Sequence, residues 1–412
     1  MAVDSSLRFK LFFASCVSLI ATAMVFAVRG DIIGDLEGHF TLSPTSLGFV
    51  MLLAFWGFTL SIVIGGSMCD ALGVKNIMVL AFIFHAAGIL LTIFAPGWQV
   101  LALATLIIGM GNGFVEAGIN PLAATLYPTQ KTKMLNILHA WWPGGIVIGS
   151  LVAYIMGLND ATWQSKMWVI MVPVIIYGAL ILPLRFPATE RVQSGVSTSE
   201  MFMQLFKPLF LLLLFCMCLS AATELGTNQW VGEIMKNSGI KSGILILAWI
   251  SIIMVVGRLF AGHIVERFSP VGLLIGSAAV SALGLILLGM VNSTITAFGA
   301  SFVFAVGICY FWPTMLGIAA ERFPKGGAFT LGLMGAAGMA AAGLSQPLLG
   351  NLYERFGPGQ ALQTMAFFPV LLMIIFIGFF IYDRSRGGYK IERLDTQEVV
   401  ETGGTRYKKT IA

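Results

Sequence analysis

Charge is what this sequence has least of. Only 10% of its 412 residues are Asp, Glu, Lys or Arg, where soluble domains carry about 25%. That deficit excludes a water-soluble globular chain. The net charge of +5 is spread over short polar connections and the C-terminal stretch, so it does not read as a nucleic-acid surface. Cysteine is scarce too: Cys16, Cys69, Cys216, Cys218 and Cys309 lie in apolar segments or at a helix end and show no metal-ligand spacing. They read as small packing residues, and no metal site is expected. Equally missing are an HExxH pair, a phosphate-binding loop and a serine nucleophile elbow in its strand–helix context, which leaves no inventory for an enzyme. No ATP-binding domain is present, so uphill work would draw on an ion gradient. One proton crossing 100 mV releases about 2.3 kcal/mol and one pH unit adds about 1.36 kcal/mol. The sum supports roughly 500-fold accumulation at one-to-one coupling. No organic cofactor is expected. The coupling ion is expected to be the proton, with sodium left open, since two carboxylates make no oxygen cage.

What is abundant is apolar sequence, 58% of the chain. Runs of about 18 or more apolar residues recur along it, each long enough to cross a bilayer as a helix. The polar–apolar alternation of a membrane barrel is absent. The expected fold is an all-α membrane protein of twelve spans, near 11–35, 45–68, 76–95, 99–126, 134–157, 167–186, 208–232, 243–265, 271–291, 294–319, 327–350 and 360–382. The run from Leu11 continues to Ile33 without a processing site, so the first span is expected to be the targeting signal itself.

Basic residues sort by side. Arg8, Lys10, Lys75, Lys131, Lys133, Arg185, Arg191, Lys207, Arg267, Arg322 and Lys325, with the basic tail, fall on one face. The other holds only Lys166, Lys236, Lys241, Arg355 and the vicinity of Arg29. Basic loops stay in the cytoplasm, so both termini are expected there, in a plasma (bacterial inner) membrane. A polar connection at 187–207 divides the spans into halves at 1–186 and 208–382, and 383–412 is polar enough to be expected disordered.

The halves echo each other. Span two ends in GGSMCDALGVKN with Asp70, and span eight ends in GRLFAGHIVERFSP with Glu266 at the corresponding place, 196 residues on. Asn120-Pro121 in span four is matched by Trp312-Pro313 in span ten, and each helix then runs into an aromatic–proline pair. Spans five and eleven are both rich in small residues, which let helices approach closely.

Against this background single polar residues stand out. Glu116 closes a long apolar run, with Asn112 and Asn120 at helical spacing on roughly one face. A carboxylate at membrane depth costs about 2.5–3.5 kcal/mol on insertion scales, so it should face a bundle interior or a water-filled cavity. Glu224 has Thr227, Asn228 and Gln229 one turn on, a second polar stripe in the matching half. Asn136 and His139 share a face of span five, and Trp312 and Gln346 add an indole and an amide. Together Glu116, Asn120, Asn136, His139, Glu224, Asn228, Gln229, Trp312 and Gln346 suit a neutral polyol, whose hydroxyls donate and accept and whose ring face stacks on aromatics. Asp31, at the outer end of span one, and Glu116 are the expected proton carriers, since a carboxylate that moves between dry and wet surroundings binds and releases a proton. Trp141, Trp142 and Trp230 are open between interface anchors and sugar platforms. His85, without polar companions in its own span, is expected to be structural. Arg258 should pair with carbonyls or an acid.

Two parallel six-helix halves are the architecture of major facilitator transporters. The segment 65–76, with Gly66, Asp70, Gly73 and Lys75, resembles their loop between helices two and three. That implies a gating role for these residues on the cytoplasmic side, shared by Arg258, Glu266 and Arg267 in the repeat. VEAGINP from Val115, LNILHAWWPGG from Leu135 and FWPTMLGI from Phe311 resemble the fucose permease branch, the fucose, galactose and glucose proton symporters. Asp31 occupies the place of that branch's span-one carboxylate. Arg29-Gly30, His139 and Glu224 depart from its pattern. The resemblance implies proton-coupled monosaccharide symport by alternating access, with a sugar and the lipid bilayer as partners and a monomer sufficient to form the site. Two alternatives stay open: a proton-antiport exporter of amphipathic compounds, which Pro143-Gly144-Gly145 resembles, and a sugar sensor that binds without transport.

Overall fold

The computed structural model describes residues 4–42, 44–228, 231, 235, 243–394, 396–402 and 405–411. In lipid a backbone has no partner but itself, and the hydrophobic part of the chain is helical throughout. Spans one to six are Ser5–Asp31, Pro44–Leu72, Val74–Ile93, Trp98–Leu126, Lys131–Gly157 and Trp163–Ile181. Spans seven to twelve are Pro208–Gly226, Gly243–Phe268, Pro270–Leu288, Thr294–Arg322, Gly327–Phe356 and Pro358–Ser385. Eleven of the helices are long and apolar enough to cross a membrane, and Leu245–Ala261 of span eight is a shorter apolar segment. Their outer faces expose large apolar side chains such as Phe94, Ile175, Phe260 and Ile374 to the bilayer. The chain is a multi-pass membrane protein with an even number of spans, so both ends leave on one face, called here the terminal face.

The repeat seen in the sequence is visible in the backbone. Gly73 caps span three with φ of 81°, and Ser269, also 196 residues on, caps span nine with φ of 63°. Each turn folds one span tightly back on the next, in the left-handed region that glycine enters freely and serine at a cost.

Three spans are interrupted, and proline is the reason each time. Span five breaks at Ala140, span ten at Tyr310 and span twelve at Ala366. Each break lies three residues before a proline, Pro143, Pro313 and Pro369. Proline has no N–H to offer the carbonyl four residues back, and its ring crowds that carbonyl. The carbonyls of His139, Cys309 and Met365 are therefore released from the helical ladder.

The halves meet at close quarters where side chains are smallest. A Cβ on Gly66 of span two would lie 3.0 Å from the Ala328 carbonyl and 3.2 Å from the Gly332 Cα of span eleven. Within the first half, a Cβ on Gly109 of span four would lie 2.2 Å from the Ala54 carbonyl of span two. Glycine at these positions sets how near the helices come.

The ends of the chain correct two expectations. Span one stops at Asp31, and a separate short helix, Ile33–Phe40, follows a turn at Ile32. The tail is not irregular from 383. Gly387 and Gly388 take φ of 90° and 92° and turn the chain back under span ten. There the Tyr389 hydroxyl donates to Glu321 Oε2 at 2.6 Å and the Glu392 N–H to the Glu321 carbonyl at 2.9 Å. Beyond, Thr396–Thr402 pairs antiparallel with Thr405–Ile411. An aromatic that can bury against the helix ends gives the tail a seat that composition alone does not reveal.

Candidate functional site

A small cavity lies between the two halves, lined by Glu116 of span four, His139 and Trp142 of span five, Glu224 and Leu225 of span seven, Arg258 of span eight, Trp312 of span ten and Met339 of span eleven. It offers only about 20 Å³ to the centre of a water-sized sphere, room for about one water molecule. The site is contracted, and a larger guest must part its walls.

In the first half, Asn120 Nδ2 donates to Glu116 Oε2 at 2.6 Å and to the Glu116 carbonyl at 3.0 Å. That orientation makes Asn120 Oδ1 an acceptor, and His139 Nε2 meets it at 2.9 Å. The histidine proton therefore sits on Nε2 and leaves Nδ1 as an acceptor. His139 Nε2 is also 3.8 Å from Glu116 Oε2. Oε1 of Glu116 has no hydrogen-bond partner among the described residues.

In the second half, Arg258 is the hub. Its guanidinium is 1% exposed. Nη2 donates to Glu224 Oε1 at 2.8 Å, Nε to the Cys309 carbonyl at 2.6 Å and Nη1 to the His139 carbonyl at 2.9 Å. Those two carbonyls are the ones that Pro313 and Pro143 release. Proline thus creates acceptors at mid-membrane in each half, and one buried cation takes both. This corrects the expected role of Arg258: it lies ten residues inside the end of span eight, about 15 Å from it at the helical rise, and serves the cavity instead of a cytoplasmic motif. The pairing with carbonyls and an acid is as expected.

Glu224 sits in a π-helical turn, Ala222–Gly226. Such turns insert one extra residue and recur at functional sites. Glu224 Oε2, Thr227 Oγ1 and Asn228 Oδ1, about one turn apart on this span, are buried without a partner. Buried polar atoms left unpaired are rare and costly; of these three residues Glu224 lines the cavity.

Other expected site residues fall elsewhere. Asn136 lies a turn toward the terminal face, where Nδ2 donates to Thr314 Oγ1 at 3.2 Å and joins spans five and ten. Gln346 donates to the Ala342 carbonyl of its own helix at 2.8 Å and does not line the cavity. Asp31 is at the rim, 36% exposed, and pairs with Lys166 of span six at 2.6 Å. Arg29, two residues earlier, is buried and donates to Thr105 Oγ1 at 2.7 Å. Gln229 lies outside the described residues, as does the side chain of Glu266. Asn112 does not share the Glu116 cluster: its Oδ1 is 2.7 Å from His85 Nε2, and His85 Nδ1 is 2.9 Å from the Tyr177 hydroxyl. His85 therefore has polar companions on other spans, in a structural role. Trp142 is a wall of the cavity. Leu225 and Met339 are apolar wall residues with no signal in the sequence.

The terminal face is shut beneath the cavity. Glu321 of span ten accepts from Thr132 N at 3.2 Å and Thr132 Oγ1 at 2.7 Å, across the halves. Lys131 Nζ meets Glu190 Oε2 at 2.6 Å and donates to the Ala320 carbonyl at 3.3 Å. Asp70 takes Arg191 Nε at 2.5 Å and the Thr189 hydroxyl, both from the connection between the halves. Lys75 donates to the Leu182 carbonyl at the end of span six at 2.8 Å. Asp70 thus ties the end of span two to the connection between the halves, and Lys75 ties the start of span three to the end of span six. Arg267 does not; it is exposed and stacks over Phe268.

A Major Facilitator Superfamily model matches residues 11–328. A gentisate transporter of Corynebacterium glutamicum is 21% identical over 281 residues, 63% of this chain and 62% of that one. The chain spans less than two thirds of the length of such curated relatives. Among solved structures, an Escherichia coli fucose:proton symporter superposes with a TM-score of 0.74 at 15% identity, over 89% of this chain and 98% of its own. A proton:xylose symporter bound to 6-bromo-6-deoxy-D-glucose superposes with a TM-score of 0.75 at 17% identity, over 92% and 96%. These likenesses are of fold. With twelve spans in two repeated halves and a polar cavity between them, this chain belongs to the Major Facilitator Superfamily of transporters.

Proposed function

We propose that the chain is a proton-coupled monosaccharide symporter working by alternating access, in a bacterial inner membrane with both termini in the cytoplasm. The observation that carries this is the cavity itself. A buried carboxylate, Glu116, lines it from one half, and Glu224, whose Oε2 is unpartnered, lines it from the other. Hydroxyl donors of a polyol satisfy the acceptors, and Trp142 and Trp312 offer apolar faces to its ring. The solved symporters of fucose and xylose share the fold and support the substrate class.

Glu116 is the proton carrier in this reading. Protonated, it leaves the cavity neutral overall, because Arg258 offsets Glu224. Substrate and proton then enter from the far side while the contacts at Thr132, Lys131 and Asp70 hold the terminal face shut. Release to the cytoplasm requires those contacts and the tie from Arg258 to the His139 carbonyl to part. Asp31 was expected to share the coupling role; in this reading Glu116 carries it alone, and the half-exposed pair of Asp31 with Lys166 supports that choice.

The test is uptake of labelled L-fucose, D-glucose and D-galactose into proteoliposomes under a pH gradient, with a protonophore control and a sodium gradient as comparison. Accumulation of one sugar that collapses with the protonophore is expected. Glu116→Gln should abolish accumulation and Asp31→Asn should keep it. No accumulation of any sugar under either gradient refutes the proposal.

A further inference from the structure

Most polar groups that line the cavity are spent or are acceptors; the indole N–H groups of Trp142 and Trp312 are the donors in its wall. Arg258 is the one cation there among the described residues, and each of its three nitrogens is committed, to Glu224, to Cys309 and to His139. Three of its five N–H groups are taken in this way, and Glu224 offsets its charge. His139 spends its N–H on Asn120 and presents Nδ1. Glu224 Oε2, in the cavity wall, has no donor, and Thr227 Oγ1 and Asn228 Oδ1, farther along the same span, are also buried without a partner. The formal charges facing Glu116 are those of Glu224 and Arg258, with His139 neutral, and they cancel. With Glu116 ionised the cavity carries one net negative charge. A neutral sugar needs a proton to remove it. A substrate that brings its own positive charge does not.

We propose that the cavity also takes a monosaccharide bearing a protonated amine, a hexosamine cation, which replaces the coupling proton at ionised Glu116. This rests on the reading of the cavity as a monosaccharide site. The ammonium supplies three donors where the walls supply acceptors, and the indoles of Trp142 and Trp312 favour a cation over their faces. The same balance disfavours a sugar acid: its carboxylate meets Glu224 and an Arg258 whose charge Glu224 already offsets, and the two indole N–H groups stand apart and make no donor fork. Charge thereby sorts substrates by what they do to the proton. Neutral sugars travel with one, hexosamines without, and hexuronates are refused.

The test uses the purified full-length protein. Tryptophan fluorescence is titrated with D-glucose, L-fucose, D-glucosamine and D-glucuronate at pH 6, where an amine that titrates like an α-amino group, near about 7.7–8.0, is protonated. Glucosamine should bind and glucuronate should not. In Glu116→Gln the affinity for glucosamine relative to glucose should fall at least tenfold. In proteoliposomes of the unaltered protein, uptake of the neutral sugar should alkalinise the medium while uptake of glucosamine should not. That second measurement decides the matter if the variant does not fold. Three results overturn the inference alone: a neutral sugar binds and glucosamine does not, the affinity ratio is unchanged in the variant, or glucosamine carries a proton as glucose does. If neither neutral sugar binds or enters, the monosaccharide reading falls and takes this inference with it.

Discussion

Replacing Glu321 by alanine should open the terminal face. Glu321 holds span five to span ten through two hydrogen bonds, from Thr132 N at 3.2 Å and Thr132 Oγ1 at 2.7 Å. Both go to a carboxylate, and both must break when the halves part there. A hydrogen bond to a charged group contributes about 1.5–3 kcal/mol. Water recovers part of this in the open state, so one such bond is a fair estimate for the pair. At about 1.4 kcal/mol per factor of ten, the ratio of open to closed should rise about 10- to 150-fold. The reporter is Ala124→Cys, because Ala124 lines the crevice beneath the clasp and is buried in the closed form. Maleimide labelling from the terminal face should accelerate by that factor in Glu321→Ala. Thr132→Val, which keeps the shape and one of the two bonds, should cost half of the pair's net value, roughly 0.8–1.5 kcal/mol, and give about a 3- to 12-fold increase. Labelling within twofold of the parent in Glu321→Ala would refute the view that this clasp keeps the face shut.

Further expectations follow from the same contacts. Arg258→Met leaves Glu224 buried and unpaired and should cost about 3–5 kcal/mol, read by thermal unfolding in detergent; adding Glu224→Gln should recover much of it. Gly332→Val puts side-chain atoms where a Cβ already lies 2.9 Å from the Ile62 carbonyl, so it should raise Ala124→Cys labelling without unfolding the protein. Ser269→Gly relieves a left-handed serine, at about 1–2 kcal/mol, and gives back only a few tenths as a cap; it should raise the unfolding temperature. Burial, then the neighbouring Glu321, pushes the Tyr389 hydroxyl well above its ordinary range. A group raised in this way contributes below its unfolded value, near about 10, and is lost only above its folded one. Protease protection of the tail should therefore be constant from about pH 5 to 9.

Much of this molecule was legible in the sequence. Apolar run lengths gave the spans, because a bilayer sets them, and the 196-residue offset from Asp70 to Glu266 reappears in the paired turns at Gly73 and Ser269. Glu116, His139, Glu224 and Trp312 do meet in one cavity, because a polar group inside an apolar helix has few places to go. Arg258 was misplaced by its nearness to a motif at the end of its span. The signal that would have placed it was present: it is a mid-span cation, and Pro143 and Pro313 advertise the carbonyls that hold it. Asn112 could not be assigned by periodicity alone. Each step of four residues turns about 40°, so it shares a stripe with Glu116 yet reaches His85 on another helix. Gln346 was a matter of which neighbours surround it, and a single chain's pattern does not record neighbours.

The wound-in extra residue of span seven has a mechanical consequence. A π turn holds one residue more than the helix around it needs, and such a wrinkle can be handed along the chain one peptide at a time. Moving it by one position turns only the residue it passes, by about 100°, and leaves the helix on either side in register. Passing Thr227 and then Asn228, it would turn each of them relative to Glu224, with the rest of the helix unmoved. A transporter that must present its polar atoms first to one face and then to the other would have, in Ala222–Gly226, a local means of re-aiming two side chains without moving the rest of the span.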